Sequence, residues 1–200
     1  MESIPLGDES VPPTRSSPTP GAWLRLAVLF YGALAALAWL WRSGFHGEPL
    51  LLAGPDAGVD IVSDVVSGLV AAAFVLAASG LLSRTVAGQA LSRALAEALG
   101  PLPASYCLAL ALASGIGEEM FFRGALQPRV GWLAASVLFA AVHFLPRRSL
   151  WVWSVFALGA GLLLGGLFEW TGNLIAPVIA HVTINGINLV RLTRLGSEVR

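Results

Sequence analysis

Three short motifs place ionisable and amide side chains inside stretches apolar enough to cross a membrane. They are Glu118-Glu119-x-x-x-Arg123, Phe139-x-x-x-His143 and His181-x-x-x-Asn185. A charge at the bilayer centre costs about 3 kcal/mol on insertion scales, so such residues are functional candidates by default. A carboxylate pair, two imidazoles and a carboxamide spread over three hydrophobic segments predict one polar site assembled within a helical bundle.

Each motif has a chemical and a structural reading. Glu119 and Arg123 lie four apart, on one helix face and within ion-pair reach. Arginine keeps its proton, so in a low-dielectric interior it needs a carboxylate partner. With Glu119 so engaged, Glu118 points about 100° away around the helix, free to take a proton from water. The structural alternative is an ion pair with one spare solvated carboxylate. Phe139 and His143 share a helix face, and His143 is either a catalyst or a hydrogen-bonded residue near the interface. His181 and Asn185 form a donor pair one turn apart. They suit either an oxyanion hole or an interhelical polar clamp.

The elements that must carry these residues follow from composition. The chain has 200 residues, 56% hydrophobic and 12% charged, with net charge zero. Its mean hydropathy is +0.75. Soluble domains carry about 25% charged residues, so this is the composition of an integral membrane protein. No basic block suggests a nucleic-acid surface. The single Cys107 has no disulfide partner and reads as a small buried hydrophobe.

Residues 1–21 are rich in Pro, Ser and Thr and are expected to be a disordered tail. Six apolar spans are predicted: 23–41, 61–83, 103–126, 130–145, 150–169 and 173–190. Between the second and third, Ala87, Leu91, Ala94, Leu95 and Ala98 recur at helical spacing, predicting an amphipathic helix at the interface. The fold class is thus all-α and integral to the membrane: about six transmembrane helices plus one interfacial helix. Its parts are the tail 1–21, two spans and the interfacial helix over 22–102, a core over 103–191, and a short tail 192–200.

All seven tryptophans fall close to proposed span ends, where an indole sits half in the headgroups. Nine arginines lie on the side of the termini against three (Arg42, Arg123 and Arg129) on the other, which predicts cytoplasmic termini in a cell membrane. Gly161-x-x-x-Gly165 marks a close helix–helix contact.

The set EExxxR, FxxxH and HxxxN, with the stretch Glu169–His181 leading into the last motif, resembles the CPBP family. These are the CAAX proteases and bacteriocin-processing enzymes, also called Abi proteins. The resemblance covers residues 103–190 and leaves the first two spans unassigned. It implies an intramembrane endopeptidase. Glu118 would activate water, and His143 would help place it. His181 and Asn185 would hold the oxyanion, while Glu119, Arg123 and Phe139 support the site.

No cofactor is expected. The alternative is a zinc site built from Glu118, His143 and His181, although HExxH is absent. The implied partners are the lipid bilayer and a protein or peptide substrate with a hydrophobic tail, such as a secreted peptide or a C-terminal sorting signal. A homodimer through the fifth span is a further expectation. A non-catalytic immunity or scaffold protein is the competing class. A transporter would call for internal repeats, and none is visible.

One tension accompanies this reading. Counted from Pro103, Glu118 lies about 22 Å along its span, whereas His143 falls near the cytoplasmic end of a span over 130–145. Convergence requires a later start, a tilt or a break near Gly115-Ile-Gly117.

Overall fold

The structure, a computed structural model, describes residues 20–54, 56–144 and 150–198. The expected tail therefore lies outside the described residues, except for Pro20 and Gly21, which open the first helix.

Among the described residues, eight α-helices and two π-helical segments make up the fold, with no β-strand. Helix α1 (Pro20–Trp39) continues into a π-helical segment, Leu40–Phe45. Helix α2 (Ile61–Leu82) starts where Asp60 caps the Ser63 N–H. Helix α3 (Val86–Leu99) is capped by Thr85 in the same way and ends at Gly100, whose φ is +63°. Helix α4 (Ala104–Glu119) runs through a second π-helical segment, Met120–Leu126, into α5 (Gln127–Val130). Gly131, at φ +84°, reverses the chain into α6 (Trp132–Val142); α7 (Trp151–Thr171) and α8 (Ile175–Glu198) follow.

Among the described residues, four helices are long and apolar enough to cross a membrane: α1 with its π extension, α2, α7 and α8. Together, α3 and the Ala104–Val130 stretch make a fifth candidate, bent by 105° between its two parts. The predicted 130–145 span is a correction. Its helix α6 has 11 residues, about 16 Å, half of a hydrocarbon core. The predicted tail at 192–200 is corrected as well, because α8 continues to Glu198 and buries Thr193 beside Cys107.

Helix α8 is the centre of the bundle, packed on α2, α3, α4 and α7, with α1 against α4 and α6 against α7. Close approach depends on small residues. A Cβ on Gly115 would stand 2.6 Å from Val182 on α8, and one on Gly117 would stand 2.7 Å from the Tyr31 carbonyl on α1. These glycines therefore seat two neighbours and do not break α4. The irregularity comes one turn later, in the π-helical segment. Gly161 and Gly165 also act as expected: Gly161 faces Phe139 and Ser136, and Gly165 faces Trp132 and Gln127. That glycine stripe is occupied inside the subunit.

The two ends of the bundle differ. At one, Leu52 bridges Asn173, and Glu48 pairs with Arg42 at 3.1 Å and Arg129 at 2.8 Å. The Arg129 guanidinium, hydrogen-bonded to Glu48, holds that carboxyl below its ordinary range. At the other end, Leu91 of α3, with Ala87, Ala94 and Leu95, packs on Leu150, Val152 and Trp153 at the start of α7. The amphipathic helix is thus present as predicted, and its apolar face is covered by the protein's own helix ends. The starts of α1 and α4 meet at this end, where Gly21 faces Tyr106, and the end of α8 reaches Ala96. Both described termini therefore lie at one end. Arg123, expected at the end away from the termini, is instead buried in the interior, 1% exposed.

Candidate active site

The short hairpin about Gly131 resolves the depth tension. Glu118 lies thirteen residues before that glycine and His143 twelve after it, so α4 and α6 bring them to one level. Because α6 stops halfway, His143 stands at its C-terminal end inside the bundle instead of near the bundle's end. Its Nδ1 bonds the Phe139 carbonyl oxygen at 2.8 Å, satisfying one of the last carbonyls of α6. With Nδ1 donating there, the neutral ring presents its Nε2 lone pair to Glu118, 3.8 Å from Oε2.

His181, on α8, closes the other side. Its Nε2 is 3.9 Å from the same Glu118 Oε2, and its Nδ1 bonds Glu119 Oε1 at 2.6 Å. Glu118 Oε2 is therefore buried with no hydrogen-bond partner and faces two imidazoles. A buried polar atom without a partner is rare and costly, and functional sites are where such atoms are retained.

Glu119 and Arg123 pair as their spacing predicts, at 3.0 Å. The guanidinium also donates to the Gly161 carbonyl at 3.1 Å and lies 4.5 Å from the Phe139 ring centre. Phe139 is the common wall of the site, with ring centres 4.4 Å from His143, 6.0 Å from His181 and 5.1 Å from Phe122. The ion pair is thus held by a backbone carbonyl and an aromatic face inside a dry interior.

Asn185 sits one turn beyond His181 on α8, and its Nδ2 donates to Ser114 Oγ at 2.9 Å. The structure therefore gathers all seven sequence-predicted residues into one region. Two contacts were missed by sequence reasoning. Ser114 is one turn before Glu118 on the same face of α4, a spacing that could have flagged it. Tyr31 of α1 brings its phenol beside the Glu118 carboxylate. No local pattern announces it.

Ligands of a tetrahedral zinc lie about 2.0–2.1 Å from the metal and so roughly 3.3 Å from one another. The Glu118–His143 and Glu118–His181 separations, 3.8 and 3.9 Å, are wider. Among the described residues, no three His, Cys, Asp or Glu side chains are grouped to hold a metal ion.

Fold and site together define a helical membrane protein with a polar centre buried among its spans. Residues 100–187 match the model of the Rce1-like family, described as type II CAAX prenyl endopeptidase Rce1-like, a similarity in line with the resemblance carried by the three motifs. A 78-residue stretch is 42% identical to YpbD of Bacillus subtilis (strain 168), an uncharacterized protein; it covers 39% of this chain and 41% of that relative. The similarity thus spans less than half of the relative's length. No solved structure matches the chain.

Proposed function

We propose that this protein is an intramembrane endopeptidase in which Glu118 activates water. The observation carrying this reading is the Glu118 Oε2 atom, buried without a partner between His143 and His181. Separations of 3.8 and 3.9 Å are too long for direct hydrogen bonds and suit one water held between the groups. That water donates one proton to Glu118 and the other to His143 Nε2. Its lone pair is left for attack on a peptide carbonyl carbon. Glu118 takes the proton as the C–O bond forms and returns it to the amine as the C–N bond breaks.

The oxyanion of the tetrahedral intermediate needs donors. Asn185 uses one N–H on Ser114 and keeps a second for the substrate. His181 already donates Nδ1–H to Glu119, so its Nε2 donates when the ring is an imidazolium. With both glutamates ionised, Arg123 and that imidazolium make the cluster neutral. The Glu119–Arg123 pair holds His181 in place.

An extended peptide with a hydrophobic tail suits a site at this depth, which favours segments near the membrane end of a substrate. The arginines left at the end holding both termini support a multi-pass protein of the cell membrane with that end in the cytoplasm.

The test is cleavage of a quenched fluorescent peptide library by purified wild-type and Glu118→Gln protein, each with and without a strong zinc chelator. Activity lost in Glu118→Gln and kept with chelator is the expected result. Activity lost with chelator would move Glu118, His143 and His181 into a metal site. A folded wild type that cleaves nothing would favour an immunity or scaffold role.

A further inference from the structure

Helix α1, which lies outside the matched family segment, packs beside Glu118. Helices α1 and α4 meet closely enough at Gly117 that a Cβ there would lie 2.7 Å from the Tyr31 carbonyl oxygen and 3.1 Å from the Tyr31 Cβ. That contact is one residue before Glu118, and the half-buried Tyr31 side chain runs from it to the Glu118 carboxylate. The neighbouring Phe30 ring packs edge-on against Tyr31 at 5.1 Å and is itself exposed on the outer face. Tyr31 lies well outside residues 100–187.

We infer that Tyr31 is a positioning residue for the reaction proposed above: its hydroxyl donates to the Glu118 carboxylate and keeps Oε2 turned towards His143 and His181. A carboxylate is free to rotate about its last torsion unless something holds one oxygen. The histidines do not hold it, since both stand beyond hydrogen-bond distance. Arg123 and His181 Nδ1 are committed to Glu119. Among the described residues, the phenol of α1 is the protein hydroxyl beside Glu118. It follows that the first helix, although outside the matched segment, completes the site. The matched segment expressed alone would retain the motifs and lose the hold on its base.

The experiment compares full-length wild type, Tyr31→Phe and Glu118→Gln in the same detergent. Tyr31→Phe keeps the ring and its packing, so its melting temperature should equal that of wild type. Its kcat should fall about tenfold, the scale of one hydrogen bond to a charged group, with KM unchanged. A merely structural role would change melting temperature, or kcat and KM together. A second readout is independent of activity. The infrared carboxyl band that disappears in Glu118→Gln should shift in Tyr31→Phe. An unmoved band overturns the contact, and a moved band with unchanged kcat overturns the positioning role. If the wild type cleaves nothing, the proposed reaction fails and the positioning role fails with it; the infrared arm still decides whether the tyrosine holds the carboxylate.

Discussion

Two arginines on two π-helical turns sit in opposite circumstances. Arg42 and Arg123 are both almost fully buried, and each pairs with a glutamate. Arg42 reaches Glu48, whose side chain is 40% exposed and shared with Arg129 at the loop end of the bundle. Arg123 reaches Glu119, which is 0% exposed, at the level of the candidate site. Water screens the first pair and adapts to changes in it. The second pair has no such relief, and its strength depends on fixed partners: His181, the Gly161 carbonyl and the Phe139 face. Local backbone and residue type are alike in the two places. Depth makes one a clamp between a loop and a helix end, and the other the frame of a reactive centre.

The comparison is broken most directly by removing each arginine. Arg123→Ala should cost about 3–5 kcal/mol and much of the folded yield, because Glu119 loses its principal counter-charge in a dry interior. Thermal unfolding in detergent measures it. Equal melting temperatures for Arg123→Ala and wild type would remove the framing role. Next in size, Glu119→Gln should cost about 2 kcal/mol by withdrawing the charge that Arg123 and His181 share. Glu118→Gln, one residue away, should lose all cleavage yet melt no lower than wild type, since the oxygen it replaces has no partner. That neighbouring pair separates framing from chemistry within a single turn.

Smaller effects belong to the loop end. Arg42→Ala should cost about 1–2 kcal/mol, through its bonds to the Leu52 and Ala53 carbonyls, and leave cleavage intact. The smallest effect concerns Glu48, whose carboxyl Arg129 holds below its ordinary range. Its contribution is present above about pH 4.3, the unfolded value, and fades as pH falls through the lower folded value. A melting series from neutral to acid pH should show that loss in wild type and not in Glu48→Gln. Raising salt should shrink the same difference, whereas the Arg123 effect should be insensitive to it.

Features that depend on neighbours three or four residues apart were legible in advance. The Glu119–Arg123 pair, the free Glu118, the amphipathic α3 and the glycine contact of α7 all follow from one helical period. Five of the seven tryptophans (Trp23, Trp39, Trp132, Trp151 and Trp170) are exposed on the outer surface near helix ends, although the helix that Trp132 opens is too short to be a full span. The level of His143 was misjudged because apolar composition runs on through 130–145, and hydropathy does not reveal where a helix stops. Arg123 was counted at the membrane surface for the same reason. A linear count cannot tell a residue near a span end from one buried behind a π-helical turn.

By itself the sequence determined the class of the protein: a helical membrane bundle whose ionisable residues fall in three motifs. Helical periodicity is local, and the bilayer admits few other backbone arrangements. Tertiary structure alone decided that α6 ends halfway, so that His143 meets Glu118. It also decided that Glu119 serves His181 as well as Arg123, and that Ser114 and Tyr31 complete the surroundings of Asn185 and Glu118. Each of those contacts joins residues from different helices, and its geometry is set by where helices end and how closely their backbones approach, which glycines permit but no spacing along the chain encodes.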